Sequence, residues 1–213
     1  MNKEKEILQK RKTMRSIIRL FNYSVILLIA ACTNHGSIIK GTLPSDRFHD
    51  EWIYWVPLVG ASYETVDSAR INNSSFTIAI SSHNLNKMGI IRAKPKLRLA
   101  LQEILVLAEA GTIQIKLDSI SSAAGTALNE VLQNWKEKKG RYDQEIFNLR
   151  RKLRTADEDH KMEIQQNIET ASAAYHDDVY RIIVENKSNE VGKFIFSLNK
   201  SKFTPEQILE IEH

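Results

Sequence analysis

Few residues in this chain have a type and a spacing that suggest chemistry. The sequence contains one cysteine, Cys32, and therefore no C-x-x-C pair; dithiol catalysis needs an attacking and a resolving thiol. Histidines adjoin carboxylates in His49–Glu51 and His176–Asp178, but neither group has a metal-ligand spacing such as H-E-x-x-H. G-x-S-x-G and a glycine-rich phosphate loop are also missing from the sequence. We therefore expect a protein that is not an enzyme and that uses no metal or cofactor.

The cysteine follows a segment with the layout of a secretory signal peptide. Basic residues come first, and the apolar run VILLIAA follows Ser24. The junction resembles a bacterial lipobox, in which an aliphatic and two small residues precede the cysteine: Ile29, Ala30, Ala31 and Cys32. This resemblance implies diacylglycerol on the Cys32 sulfur, cleavage before Cys32, and acylation of the new N-terminus by a fatty acid such as palmitate. The alternative is an ordinary signal peptide or a buried start of the fold, with an incidental cysteine.

The charge of the chain is concentrated in this leader. The formal net charge is +4, yet the first 31 residues hold seven basic and two acidic residues, +5 in total, which leaves −1 for the remainder. Because the body is close to neutral, we predict no nucleic-acid partner. The apolar run is shorter than the roughly 20 residues of a spanning helix, so acyl chains on Cys32 would be the membrane anchor. Thr33 is not acidic, which by resemblance to lipoprotein sorting favours the outer membrane, facing the periplasm.

The body begins with segments typical of β-strands. Short runs rich in β-branched and aromatic residues are separated by turn residues. We predict strands in residues 37–43 and 52–58, a hairpin of residues 63–71 with 76–80, a polar loop over 81–97, and a second hairpin across Glu109–Gly111. These elements predict an antiparallel β-sandwich-like domain over residues 37–122.

The hydrophobic period changes after residue 125. Apolar residues then recur at steps of three and four, which predicts two long helices with Asp157 as the N-cap of the second. The two stripes are Leu128, Leu132, Trp135, Tyr142, Ile146, Leu149 and Leu153, then Ile164, Ile168, Ala171, Tyr175, Val179 and Ile182. Thr204–Gln207 predicts the start of a short terminal helix. The predicted fold class is α+β: a signal peptide over residues 1–31, a tether over 32–36, the β-domain, then an antiparallel helical hairpin and C-terminal helix over 123–213.

Several diffuse motifs together resemble a known bacterial domain. They include IxGTLP, ETVDSARI, ILVLAEAG and GTALN, in this order along the chain. They resemble the N-terminal β-domain of unknown function found in lipoproteins of certain Gram-negative gut bacteria, commonly ahead of a thioredoxin-like thiol–disulfide oxidoreductase domain. The oxidoreductase domain and its C-x-x-C are missing from this chain, so the resemblance implies the accessory part of that architecture alone.

Two surface features suggest contacts with glycans. Trp52 and Tyr54 would share one strand face, with Trp55 on the other, and one of these faces could bind sugars by stacking. Asp67-Ser68-Ala69 and Asp118-Ser119-Ile120 resemble an O-glycosylation sequon of some Gram-negative gut bacteria, which would place modifications on Ser68 and Ser119.

The sequence thus predicts a lipid-anchored envelope protein that acts as a binding or scaffolding module. An accessory partner in trans of a thioredoxin-like periplasmic oxidoreductase is an alternative, and a glycan-binding surface lipoprotein is a weaker one. The amphipathic helical hairpin could dock a protein partner, although packing of its two stripes on each other would also account for them.

Overall fold

The structure, a computed structural model, describes residues 36–94 and 101–213. Its β-domain consists of two four-stranded sheets, with strand orders β4-β1-β7-β8 in sheet 1 and β3-β2-β5-β6 in sheet 2. The strands are β1 (Ser37–Thr42), β2 (Trp52–Pro57), β3 (Asp67–Arg70), β4 (Ser75–Ala79), β5 (Met88–Ala93), β6 (Ile104–Leu107), β7 (Gly111–Lys116) and β8 (Ser122–Ala124). Strands β1 and β7 pair in parallel, and the other pairings in the two sheets are antiparallel.

Alternating side chains of the two sheets form one shared core. Ile39 and Ile113 point inward from sheet 1, and Ile53, Trp55 and Ile91 point inward from sheet 2; all are fully buried. Since successive side chains of a strand point to opposite faces, the neighbours of these residues lie on the outer faces of the sandwich. The predicted sandwich is therefore confirmed.

The two predicted hairpins are wrong in their pairing. Strand β3 pairs with β2 in sheet 2, whereas β4 pairs with β1 in sheet 1. Likewise β6 pairs with β5, whereas β7 pairs with β1 and β8. Each predicted turn is instead a crossing from one sheet to the other. Alternation of apolar residues shows which face of a strand is buried but not which strand lies beside it, and this is why the pairing was missed.

Two strands were not expected. The segment predicted as a polar loop contains β5, the strand that joins β2 to β6 in the middle of sheet 2. The small residues after Asp118 form β8, an edge strand of sheet 1. Short 3-10 helices occupy Asp46–Phe48, Ser82–Asn84 and Lys200–Lys202.

Four helices follow the sandwich: α1 (Ala127–Leu153), α2 (Glu158–Asn186), α3 (Glu190–Asn199) and α4 (Pro205–Glu212). Asp157 is the N-cap of α2, since its side chain accepts a hydrogen bond from the His160 backbone N–H. Thr204 and Gln207 form the predicted capping box of α4. The short apolar segment 194–198 lies within α3.

The helices pack on the outer face of sheet 2. Leu107, at the end of β6, belongs to a second core with Leu132 and Trp135 of α1 and Ile183 of α2. This core also contains Val191, Ile195, Phe203 and Ile211 from the last part of the chain. The predicted α+β class, a β-domain followed by long helices and a short terminal helix, is confirmed.

Candidate functional site

The open part of the outer face of sheet 2 carries aromatic and charged side chains. We call it the aromatic face; it consists of Trp52, Tyr54, Ser68, Arg70 and Arg92. Register brings these residues together, because Tyr54 lies opposite Ser68 on one side and Arg92 on the other, and Trp52 lies opposite Arg70. Trp55 points the other way into the core, so the predicted division of the aromatic residues between two faces is confirmed.

Much of the polar chemistry on the aromatic face is internal. The Trp52 and Tyr54 rings stack with centroids 6.4 Å apart and planes at 25°. The Arg70 guanidinium carbon lies 4.6 Å from the centroid of the Trp52 ring, and its Nη1 is 3.0 Å from Oδ1 of Asp50. Because a guanidinium covers one side of Trp52, Tyr54 is the ring on this face better placed to stack with a ligand.

An Arg–carboxylate pair borders the aromatic face. Arg92 donates from Nε and Nη2 to the two carboxylate oxygens of Glu103, at 2.9 and 3.1 Å. This bidentate geometry fixes both side chains. Beyond it, α1 forms a wall on which Lys136 donates to the Leu105 carbonyl at 3.3 Å. Burial lowers the pKa of Lys136 to about 8, because desolvation disfavours its charged form.

The two residues of the predicted O-glycosylation sequons are both exposed. Ser68 lies within β3, an edge strand, and the adjacent Asp67 carboxylate accepts hydrogen bonds from the Ser81 backbone N–H and from Asn84 Nδ2 at 3.0 and 2.8 Å. Ser119 lies in the turn between β7 and β8, where its N–H donates to Asp118 Oδ1 at 2.7 Å. A turn offers a modifying enzyme easier access than a paired strand does, and use of either serine stays a prediction.

The predicted lipid-attachment site lies outside the described residues. This holds for Cys32 and for the lipobox residues Ile29, Ala30 and Ala31. Strand β1 begins at Ser37, four residues after the Thr33 that follows the cysteine. The attachment site therefore stays a prediction from the sequence.

The predicted stripes of the helical hairpin face each other. Tyr142 of α1 and Tyr175 of α2 stack with ring centroids 4.3 Å apart and planes at 5°. Nearby, Lys138 Nζ is 2.6 Å from Oδ2 of Asp178, and this hydrogen bond lowers the Asp178 pKa. Burial raises the pKa of Tyr175 to about 12. Because self-packing uses the stripes, a protein partner of the hairpin would have to bind its other faces.

The motifs that carry the family resemblance meet at the junction of the sandwich and α1. Asn129 is fully buried; its Oδ1 accepts from the Leu107 N–H and its Nδ2 donates to the Leu107 carbonyl, both at 2.9 Å. The Nδ2 group also donates to Thr126 Oγ1 at 2.9 Å. Glu109 Oε2 accepts from the Leu128 N–H at 3.0 Å, which satisfies one of the orphan donors in the first turn of α1.

The first residue of the GTALN motif, Gly125, lies where a side chain would not fit. Gly125 has φ +94°, and a Cβ at this position would lie 2.7 Å from the Thr112 carbonyl oxygen. The sequence analysis did not predict this junction. The signal that could have indicated it is an asparagine, Asn129, three residues after the N-cap of a predicted helix. Because the Asn129 hydrogen bonds join the end of β6 to the start of α1, we assign the junction a structural role.

Two of the histidines that adjoin carboxylates contact other parts of the fold. His49 Nδ1 accepts a hydrogen bond from the Asn73 backbone N–H at 2.9 Å, and His176 contacts the Phe203 ring with centroids 5.2 Å apart. Within residues 36–94 and 101–213 no group of three histidine, cysteine or acidic residues is placed to hold a metal ion. Over the same residues, no helix is both long and apolar enough to span a membrane.

Part of the chain matches a known family model. Residues 37–132 match the family model described as a domain of unknown function (DUF4369). The match covers the sandwich and the start of α1, so it includes the Asn129 junction. No curated protein and no solved structure matches the chain.

Proposed function

We propose that this chain is a non-catalytic, lipid-anchored protein of the cell envelope that serves as a binding or scaffolding module. The supporting observation is the position of Cys32. Strand β1 and the match to the domain of unknown function both start at residue 37, directly after the predicted tether. The anchor would therefore connect to the folded domain through only a few residues, as expected where the cysteine becomes the first residue of the mature chain.

The sandwich and the helices support a binding role through their surfaces. Buried or half-buried polar side chains such as Asp67 and Asn129 are used to join elements of the fold. The aromatic face and the outer faces of the hairpin are surfaces on which other molecules could bind. The periplasmic face of the outer membrane is the proposed location.

Cell fractionation of the wild type and of Cys32→Ser tests the anchor. We expect a fatty-acid analogue to label the wild type and the wild type to sediment with membranes. The Cys32→Ser chain should be unlabelled and should leave the membrane fraction. The proposal is wrong if the serine variant is labelled as strongly as the wild type.

The aromatic face supports the glycan-binding alternative, because Tyr54 is half-buried with its ring on an outer sheet face. Glycan arrays would compare the wild type with Tyr54→Ala, and Tyr63→Ala is the matched control because Tyr63 is exposed elsewhere. A glycan role predicts a binding signal lost only in Tyr54→Ala. Identical array profiles for all three proteins would remove this alternative.

The alternative role in trans rests on the family resemblance. If the chain assists a thioredoxin-like oxidoreductase, cross-linking in native membranes followed by purification should recover a protein with a C-x-x-C pair. Consistent failure to recover one would favour the general binding or scaffolding role.

A further inference from the structure

One end of the sandwich contains the point at which the chain enters the fold. We call it the entry end. In sheet 1, Ser37 of β1 lies beside Gly111, the first residue of β7, and its carbonyl accepts from the Ile80 N–H at 3.0 Å. The entry end of sheet 1 therefore contains the start of β1, the start of β7 and the residue that follows β4.

The loop between β2 and β3 lies at the same end. The Ser81 N–H donates to Asp67 Oδ2 at 3.0 Å, which joins the segment after β4 to the first residue of β3. Asn84 Nδ2 donates to the Thr65 carbonyl at 2.8 Å, so the loop itself is tied to this end. The first residue of β3, Asp67, pairs with Trp55 near the end of β2, so residues 58–66 connect the two strands at this end.

This loop exposes apolar side chains in a fixed conformation. Leu58 is 39% exposed, Val59 86% and Tyr63 100%. The Thr65 hydroxyl accepts from the Ser62 N–H at 2.7 Å and donates to the Gly60 carbonyl at 2.9 Å, which closes the loop on itself. The exposure therefore comes with an ordered backbone. Transfer of valine and leucine side chains out of water is favourable, and tyrosine is enriched at membrane–water interfaces.

The tether limits how far the entry end can lie from the lipid. Cys32 precedes Ser37 by five positions, and an extended chain spans at most about 3.6 Å per residue. Acyl chains on Cys32 would thus hold the entry end within roughly 18 Å of the anchored residue. The opposite end of the sandwich, with the turn after β7, is a further strand length away, about 3.3 Å for each residue.

We propose that the loop Leu58–Tyr63 is a second membrane contact, with its apolar side chains in the lipid–water interface beside the anchor. The proposal rests on the proposed lipidation of Cys32. It adds an orientation in which the entry end faces the membrane, and the aromatic face and the hairpin extend away from the membrane surface. Lys87 is exposed beside the loop, but Glu64 adjoins Tyr63. The apolar side chains therefore carry the contact, and it should form on vesicles with or without net charge.

Two single-cysteine probes test the contact in the lipidated full chain. Val59→Cys places a thiol in the loop, and Ile120→Cys is the matched control, because Ile120 is an exposed apolar residue (82%) at the opposite end. Each variant is labelled with a polarity-sensitive fluorophore and reconstituted into vesicles of phosphatidylcholine, with and without phosphatidylglycerol. Circular dichroism would verify that each variant keeps the wild-type fold.

We expect the probe at position 59 to shift its emission to the blue on both vesicles and to be protected from an aqueous quencher. The probe at position 120 should show neither effect. One label per chain with equal quenching at positions 59 and 120 would overturn the membrane contact while leaving the anchor intact. Two labels per chain would mean that Cys32 is unmodified, which would reject the anchor and the contact that depends on it.

Discussion

Replacing Asn129 with alanine tests the junction between the sandwich and the helices. Asn129 is fully buried, and its side-chain amide makes a two-way pair with the backbone of Leu107. Asn129→Ala removes this amide without adding bulk. The Leu107 N–H then loses its acceptor in a residue that is only 1% exposed, whereas the Leu107 carbonyl keeps the hydrogen bond from the Glu109 N–H at 2.8 Å.

The expected loss follows from the Leu107 N–H. A buried donor that loses its partner costs about 1–3 kcal/mol of unfolding free energy. For a chain of this size, about 2–4 °C of melting temperature corresponds to each kcal/mol, which predicts a decrease of roughly 2–12 °C.

Urea unfolding of the full chain would measure the loss. The transition midpoint should fall in Asn129→Ala while the slope stays at the wild-type value. Asn134→Ala is the matched control, because Asn134 is exposed on the same helix and its replacement should change stability by less than about 0.5 kcal/mol. Equal midpoints for the two variants would refute the assignment of Asn129 as the residue that joins the two layers.

Three further predictions concern stability. Gly125→Ala should destabilise the fold by about 1–3 kcal/mol, because Gly125 has a positive φ and a Cβ there would lie close to a carbonyl oxygen. Gly140→Ala should stabilise the fold by about 0.5–1 kcal/mol, because Gly140 lies in a helix and no atom is within 4 Å of the new Cβ. Urea unfolding that gives the opposite order of stability would contradict this prediction. The pKa of Lys136, about 8, lies below its unfolded value, so the unfolded chain binds more protons between these pKa values and stability should rise from pH 8 towards pH 10. Lys136→Met should reduce that rise, and an unchanged pH profile would contradict its source. A double-mutant cycle of Tyr142→Ala and Tyr175→Ala should give a coupling of about 0.5–1.5 kcal/mol, and additive losses would show that the stacked rings do not interact.

The helical part of the fold could be predicted from the sequence because its signals are local. The stripe with Tyr142 and Tyr175, the Asp157 N-cap and the Thr204 capping box all depend on residues within a few positions of each other. Such patterns determine a helix and its buried side without knowledge of the rest of the chain.

The arrangement of strands could not be predicted in the same way. The segments around β3 and β4 were correctly expected to be extended, yet a two-sheet crossing and a hairpin have the same local pattern of polar turn residues. Strand β5 was missed because its short apolar segment Met88–Ala93 lies between polar flanking residues. The Asn129 junction depends on residues 22 positions apart, which no local period reveals.

The predicted sites also differ in how much they depend on the fold. The structure places Ser68 and Ser119 on the surface and Tyr54 on the aromatic face, which agrees with the access that their proposed roles need. His49 contacts a backbone N–H, and His176 contacts an aromatic ring. The proposed lipidation of Cys32 rests on its flanking sequence, which resembles a short linear signal and does not depend on a folded pocket.

Intact-mass spectrometry of the protein purified from native membranes tests the proposed lipid anchor on Cys32. We expect a mature chain that begins at Cys32 and carries the added mass of a diacylglycerol and a fatty acid, with no such species from Cys32→Ser. An unmodified cysteine on a protein that retains residues 1–31, or a Cys32→Ser chain with the same lipid mass, would contradict it.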